Sequence, residues 1–328
     1  MGGALNMDYS DLKSTLIISL DGDPVGIAGH GELDIAERFR YATVTPVANS
    51  EFFRITVSGL QGGHSGLEAR QERGNAVLLL NRFFAALRKE TEFRIARVKG
   101  GNESSTAFAY HAEAVIEVPE GGGPVLEEVL DRMQAVYSDE LRHRDEGITI
   151  SAEPCERHGS VVSLADTAKL IAFLTVIPDG IMSMSFDYPG LMESSINTGV
   201  LFMEDGAFVI RTTIRSAGRS RKEWLYDRVC TLGKEMGIDV GIENDLPQWD
   251  MKVSDEVLEI CKRIYPDCGF IVEEATGECG IFMDHMPEAS AITLQCPYSG
   301  AHSTEEQISA SQVKIYYDRL KAFLAELR

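Results

Sequence analysis

Two histidines on short turns of glycine and serine are the strongest candidates for chemistry in this chain. His64 lies in Gly-Gly-His-Ser-Gly at residues 62–66, and His302 lies in Gly-Ala-His-Ser at residues 300–303. Glycine allows a positive φ and lets a ligand come close to the backbone. A neutral imidazole on such a turn can ligate a metal or donate a hydrogen bond to an oxyanion. Each motif alone is more often an ordinary loop histidine, so both need support from other residues.

Asp21 adds a carboxylate at the end of a predicted strand. Residues 14–20, Ser-Thr-Leu-Ile-Ile-Ser-Leu, form a nearly continuous apolar run that predicts a buried strand of a mainly parallel sheet. Ligands gather at the carboxyl ends of such strands, although a solvated Asp-Gly-Asp turn is an equal alternative. Asp21 and His302 are therefore candidate metal ligands. Two ligands do not complete a zinc site, because a catalytic zinc takes about three protein ligands and a water.

Three further polar residues could contact a substrate. Asn197 and Arg215 are predicted on adjacent strands of a hairpin that turns at residues 204–206, Glu-Asp-Gly. The planar fork of an arginine binds a carboxylate with two hydrogen bonds, but an exposed polar sheet face is the alternative. Glu278 opens a predicted short helix, where the helix dipole is a sufficient structural reason for a glutamate.

The order of predicted elements indicates an α/β domain interrupted by a long insertion. Residues 1–34 and 246–328 alternate strands and helices, whereas residues 35–245 have an α+β pattern. The inserted block has more elements than one ferredoxin-like β-α-β-β-α-β unit contains, which predicts two such units side by side. We therefore expect an α/β domain with a mainly parallel sheet and an inserted α+β lid.

Composition excludes several classes of function. The net charge of −20 over 328 residues argues against nucleic acid, whose phosphates need clustered Lys and Arg. No apolar run reaches the roughly 18 residues of a membrane helix, and no signal peptide precedes the first polar segment. The six cysteines form no Cys-x-x-Cys pair, which indicates reduced thiols and a cytoplasmic location.

Taken together as an ordered set, these segments resemble a known family. The chain is similar to the Xaa-His dipeptidases (aminoacyl-histidine dipeptidase, peptidase D) of the di-zinc aminoacylase and carnosinase superfamily. The resemblance runs over nearly the whole chain and is carried by residues 16–23, 57–66, 73–76, 193–200, 214–217, 247–249, 278–280 and 300–303.

The resemblance implies hydrolysis of dipeptides by two zinc ions that share a water, with a glutamate as general base. Asp21 resembles a ligand of one zinc and His302 a ligand of the other. His64 resembles the lid histidine that stabilises the oxyanion, and the double-sized lid would let it act within one chain. Asn197 and Arg215 resemble the lid residues that hold the backbone or C-terminal carboxylate of the substrate.

The chain departs from the family pattern in its remaining catalytic groups. The family's His-x-Asp motif, bridging Asp and Glu-Glu pair are absent, and residues 1–5 resemble the segment that follows that pair. We therefore expect that the N-terminal part of the catalytic domain is lacking, that apolar surface is left bare and that zinc binds weakly or not at all. The chain would then be inactive alone and prone to self-association.

Two substitutions add to this expectation. An Asn-Ala-Ile-Pro motif that follows a Gly-Gly pair in the family is replaced here, with Ser105 and Phe108 in place of its Asn and Pro. Glu274 stands where relatives often have His. Two rivals remain open: one half of a split peptidase, or a non-catalytic peptide-binding or assembly module. A weaker third is an amidase acting on acylated amino acids. The expected partner is a dipeptide or small peptide.

Overall fold

A computed structural model describes residues 2–21, 24–102, 104–186, 190–299 and 307–327. The strands form one large sheet, one small sheet and two short two-stranded sheets. In these residues the strands are β1 (Leu16–Ser19), β2 (Gly26–Gly29), β3 (Gly31–Arg40), β4 (Thr43–Val44), β5 (Glu51–Ser58), β6 (Arg94–Gly101), β7 (Ala112–Val118), β8 (Thr149–Pro154), β9 (Val161–Val162), β10 (Gly180–Met184), β11 (Met192–Glu204), β12 (Ala207–Ser216), β13 (Asp239–Leu246), β14 (Ile271–Glu273), β15 (Ser290–Thr293), β16 (Tyr298–Ser299) and β17 (Gln307–Ile308). The helices are α1 (Gly2–Leu5), α2 (Ala76–Leu87), α3 (Gly123–Glu140), α4 (Leu164–Val176), α5 (Arg219–Met236), α6 (Asp255–Ile264), α7 (Glu278–His285) and α8 (Ala310–Glu326), with a 3₁₀ helix at Ala69–Gln71.

The large sheet is built from two units of the same topology. Its strand order is β13-β3-β12-β11-β6-β7-β5-β8, β10 also pairs with β11, and the pairings are antiparallel. The first unit is β3-α4-β11-β12-α5-β13, and the second unit is β5-α2-β6-β7-α3-β8. In each unit the spatial order is fourth, first, third and second strand, which is the ferredoxin-like arrangement. The second unit lies in the chain between the first strand and first helix of the first unit.

The two units meet along a short seam. The second strand of each unit lies at the junction, where β11 pairs with β6 from Val200 opposite Gly101 to Phe202 opposite Lys99. The helices of both units pack on one face of the joined sheet and form a single large core. Side chains alternate across a strand, so Ile210 and Ile214 enter this core while Arg215 lies on the opposite face.

Local sequence explains the helices of these units. Asn75 caps α2 by accepting hydrogen bonds from the backbone N–H groups of Val77 and Leu78. Ser163 caps α4 in the same way through Asp166. The helix α5 ends at Gly237, whose φ of +62° is a left-handed conformation that glycine adopts without strain.

The small sheet, β1-β15-β2-β14, is mixed. β1 runs parallel to β15 and β14 parallel to β2, but β15 and β2 are antiparallel. The connection from β1 to β2 spans only residues 20–25, which is too short for a parallel crossover of a dozen or more residues. The fold is therefore mixed α/β, with two parallel pairings and one antiparallel pairing among the described strands of the small sheet, and the expected mainly parallel sheet is not confirmed.

Helices cover both faces of the small sheet. α6 and α8 pack on one face, where Ile260, Tyr265 and Phe323 are buried. α7 and Trp249 pack on the other. The chain passes from the small sheet to the large sheet at His30 and leaves the large sheet after Leu246. β3 already begins at Gly31, and the division into residues 1–34 with 246–328 and residues 35–245 stays a prediction. None of the helices in the described residues is long and apolar enough to cross a membrane.

Candidate active site

The loop that carries His64 is held by a carboxylate. This loop, residues 60–68, follows β5, and its Gly63 has a φ of +120°. A side chain at Gly63 would overlap with the Glu68 carboxylate and the Arg73 guanidinium, so only glycine fits there. Glu68 accepts a hydrogen bond of 2.8 Å from the backbone N–H of His64 and pairs with Arg73 at 3.1 Å. Glu68 thus connects the backbone of His64 to Arg73, which follows the loop.

The imidazole of His64 is oriented by two backbone donors. The N–H groups of Gly66 and Leu67 each donate to His64 Nδ1 at 3.1 Å. A nitrogen that accepts hydrogen bonds carries no proton, so the neutral ring must hold its proton on Nε2. The side chain is half-buried. The two backbone donors therefore fix the tautomer and the orientation of the ring.

A second loop, residues 104–108, packs against the His64 loop. The backbone N–H of Ser65 donates to the Thr106 carbonyl at 2.9 Å, and Phe108 N–H donates to the Gly63 carbonyl at 2.9 Å. His64 and Ala107 form an isolated antiparallel bridge between these bonds. The position of His64 therefore depends on the position of residues 104–108. This is the segment that replaces the family's Asn-Ala-Ile-Pro motif.

Asn197 lies beneath the 104–108 loop. Its side-chain amide donates to the carbonyls of Ser105 at 2.7 Å and Ala107 at 3.0 Å. The residue is buried on β11, just before an irregularity between Thr198 and Val200 in the pairing with β12. The Thr198 N–H there donates to Asp179 Oδ1 at 2.7 Å, and burial raises the pKa of Asp179 to about 6. Both amide protons of Asn197 are therefore engaged within the chain.

Arg215 is fully buried and already paired. Its Nη1 lies 2.5 Å from Glu32 Oε2 and 3.3 Å from the Thr276 hydroxyl. Burial lowers the pKa of Arg215 and raises that of Glu32, because both charges leave water. Nε has no hydrogen-bond partner among the described residues. A substrate carboxylate would therefore meet a guanidinium whose charge is largely offset by Glu32.

Glu278 and Asp21 lie near one thiol of the small-sheet region. Glu278 is the first residue of α7, and Asp21 is exposed after β1. Burial, together with the negative charges of Glu273, Glu278 and Asp21, raises the pKa of Cys279 to about 12. A thiol with such a pKa is a small buried side chain rather than a nucleophile at neutral pH.

The candidate zinc ligands are not brought together in the described part of the chain. His302 lies outside the described residues. Across the ranges described, no group of three or more His, Cys, Asp and Glu side chains could hold a metal ion. The donors that the structure describes therefore do not fit a catalytic zinc, which needs about three protein ligands.

Sequence reasoning missed the partners of these residues. Glu32 carries no local signal, because it meets Arg215 only through the pairing of β3 with β12. His30 lies next to that pair, and burial lowers its pKa to about 4, so it is neutral at neutral pH. Glu274 was noted only as a departure from the family. It accepts a hydrogen bond of 2.7 Å from Met192 N–H and pairs with Arg70 at 3.1 Å, which joins the small-sheet region to the large sheet.

Comparisons with known proteins show which proteins this chain is similar to. The family described as peptidase dimerisation domain, of the M20 peptidases, matches residues 50–145. The cytosol non-specific dipeptidase of Escherichia coli (strain K12) is 26% identical over 337 aligned residues, covering 100% of this chain and 69% of its own length. The crystal structure of aminoacylhistidine dipeptidase from Vibrio alginolyticus superposes with a TM-score of 0.87 at 25% identity, covering 99% of this chain and 68% of that one.

This chain is a relative of the M20 Xaa-His dipeptidases. The relationship predicted from the ordered motifs is thereby confirmed. The matched domain falls on the second unit and the His64 loop, whereas the two relatives match the chain throughout. The roles of individual residues are not decided by these matches and remain proposals.

Proposed function

We propose that this M20 dipeptidase relative binds dipeptides of the Xaa-His type for metal-dependent hydrolysis, with His64 as the donor to the oxyanion. The observation that carries the proposal is the likeness to an aminoacylhistidine dipeptidase over nearly the whole chain. The orientation of His64 supports it, because Nδ1 accepts from two backbone N–H groups and the proton of the neutral ring therefore lies on Nε2. A fixed donor of this kind stabilises a tetrahedral intermediate without reorganisation.

The proposed substrate contacts lie around His64. Gly66, two residues after His64, approaches Arg215 so closely that a side chain there would lie 3.1 Å from Arg215 Nε. Arg215 would hold the C-terminal carboxylate of the dipeptide, while Glu32 keeps the guanidinium in place. Glu278 would meet the substrate amine from the small-sheet region, and Asn197 would define the floor of the site.

Asp21 and His302 are proposed ligands of two zinc ions, and they do not suffice for either. We infer that the chain by its own residues binds zinc weakly and does not hydrolyse dipeptides alone, because one protein ligand per ion falls short of about three. The name of the matched domain supports self-association as a further part of the proposal. The name of the Escherichia coli relative supports a cytoplasmic location.

One experiment tests both halves of the proposal. The pure chain is equilibrated with excess zinc and desalted, bound zinc is counted, and Gly-His binding is measured by calorimetry with Gly-Gly as control. We expect little zinc and measurable binding of Gly-His that weakens in His64→Gln but not in His111→Gln, an exposed control. About two zinc ions per chain, or zinc-dependent release of His, would overturn the expected inactivity. Absence of Gly-His binding would overturn the proposed substrate class.

A second candidate function is a peptide-binding module without catalysis. It is favoured by the ion pair of Arg215 with Glu32 and by the exposed position of Asp21, neither of which is typical of a site prepared for chemistry. One half of a split peptidase is its nearest rival. Addition of a polypeptide that carries the His-x-Asp and Glu-Glu groups separates the two, because only the split peptidase would gain turnover.

A further inference from the structure

The geometry points to Asn197 as a positioning residue that holds His64 in place through the 104–108 loop. This inference rests on the proposed function, since it assigns to His64 the oxyanion contact, but it gives Asn197 a different task from substrate binding. A primary amide has two protons to donate. Both are used here on the carbonyls of Ser105 and Ala107.

The 104–108 loop is bonded directly to the backbone around His64. Thr106, which lies between the two carbonyls that Asn197 holds, accepts from both the backbone N–H and the hydroxyl of Ser65, at 2.9 and 2.8 Å. Ala107 forms the bridge with His64 itself. A shift of residues 105–107 would therefore move the backbone on both sides of the His64 imidazole.

Other groups fix the loop from the same side. The Ser105 hydroxyl lies 2.8 Å from the Thr213 hydroxyl, which lies 2.6 Å from Asp34 Oδ1. Gly199 lets the loop descend onto the sheet, because a side chain at that position would lie 2.6 Å from Ser105 Cα. The pairing of β11 with β12 is irregular next to this contact, between Thr198 and Val200, and such bulges are common near functional sites.

Because Asn197 is buried, loss of its two amide hydrogen bonds should displace the 104–108 loop. Asn197 is 3% exposed, so water cannot readily replace its two hydrogen bonds if the amide is removed. The carbonyls of Ser105 and Ala107 would then lack their donor, and the loop would have to move to regain one. The backbone at His64 would shift with the loop, and the hydrogen bonds from the Gly66 and Leu67 N–H groups to His64 Nδ1 would weaken.

The test reads the His64 ring directly and needs no turnover. Long-range proton–nitrogen spectra of the full chain with ¹⁵N-labelled histidine, recorded near pH 8, distinguish the protonated from the unprotonated ring nitrogen. His64→Gln assigns the signal among the seven histidines. We expect a single Nε2–H form in the parent chain and a mixture of both tautomers in Asn197→Ala and Asn197→Asp.

Asn81→Ala is the matched control. Asn81 is 4% exposed and donates to the Ile171 carbonyl and the Thr175 hydroxyl. Like Asn197, it has a buried side-chain oxygen with no hydrogen-bond partner in the part of the chain that the structure describes. It lies on α2, within the helical layer. We expect Asn81→Ala to lower the melting temperature while leaving the His64 signal unchanged.

A second measurement covers the case in which Asn197→Ala folds poorly. Hydrogen exchange of the Ser65 and Phe108 amides is followed in Asn197→Ser, which retains one donor. Loss of one of the two hydrogen bonds should speed exchange roughly tenfold at these amides, and Asn81→Ala should not. An unchanged His64 tautomer and unchanged exchange in the Asn197 variants would overturn the inference. Failure of the parent chain to bind Gly-His would instead overturn the proposed function. The His64 tautomer and the amide exchange rates would still test the role of Asn197.

Discussion

The two ferredoxin-like units share a topology but differ in how they bury charge. In the second unit, buried acids hold loops: Glu117 accepts from Val47 N–H at 2.6 Å, and Asp145 accepts from Gln61 and Gly74 N–H at 2.7 Å each. In the first unit, Arg215 pairs with Glu32 at the site, and Glu37 is fully buried. The same strand order thus supports buried acids that hold loops in one unit, and a buried ion pair and a buried carboxyl in the other.

The largest effect is expected from breaking the buried ion pair between Arg215 and Glu32 in the first unit. Arg215→Met leaves the Glu32 carboxylate buried without its cation, which should cost about 3–5 kcal/mol of unfolding free energy. Urea unfolding measures this loss. The matched change in the second unit is Arg94→Met, which removes the partner of Glu117. It should cost about 1 kcal/mol, because Arg94 is partly exposed and Glu117 keeps other donors.

Equal losses at both sites would show that the two units do not differ in this respect. The double variant Arg215→Met with Glu32→Gln separates lost pairing from lost packing. It should recover part of the stability, since no uncompensated charge remains buried.

The next effect concerns Glu37 and pH. Burial raises the pKa of Glu37 from 4.5 to about 8, so the folded chain holds a proton that the unfolded chain releases above pH 4.5. Stability contributed by this carboxyl is therefore present below pH 4.5 and is lost as pH rises to about 8, by at most about 1.4 kcal/mol per pH unit. Glu37→Gln should stabilise the chain more at pH 8 than at pH 5, as unfolding at both values measures.

A pH-independent effect of Glu37→Gln would show that the first unit does not hold a protonated carboxyl. Glu117→Gln in the second unit is the comparison. We expect it to destabilise the chain at pH 8, because Glu117 accepts hydrogen bonds as a carboxylate and pairs with Arg94.

A smaller effect is expected from the His64 loop. Gly63→Ala places a side chain at a φ of +120° against Glu68 and should cost about 1–3 kcal/mol, with a change in the His64 ring signal. Gly206→Ala is the control in the first unit, because Gly206 also has a positive φ, +73°, but faces open space. Thermal unfolding should show the larger loss for Gly63→Ala, and only that variant should disturb His64.

The smallest effect concerns the contact between the large sheet and the small-sheet region. Arg70→Ala removes the ion pair with Glu274, yet Arg70 is half exposed, so the loss should stay below about 1 kcal/mol and shrink further in high salt. A loss of several kcal/mol would show that this pair locks the two regions together. Unfolding at two salt concentrations distinguishes these results.

Much of the fold follows from local pattern. Helices α3 (Gly123–Glu140) and α4 (Leu164–Val176) carry buried apolar residues at helical spacing, and the hairpin predicted to turn at residues 204–206 does so through Asp205 and Gly206, both with positive φ. These elements depend on apolar spacing, caps and turn residues that lie within a few positions of one another. The direction of strands in the small sheet was not predictable in this way, since the neighbours in that sheet come from distant parts of the chain.

The sequence by itself determined the elements, the relationship to the M20 dipeptidases and the identity of His64, Asn197 and Arg215 as residues of interest. Only the tertiary structure decided what those residues touch. Arg215 meets Glu32, and Asn197 meets Ser105, through sheet pairings and a seam between units that no local pattern encodes. The physical reason is that hydrogen bonds and ion pairs depend on distances of a few ångströms between groups that chain spacing leaves undetermined.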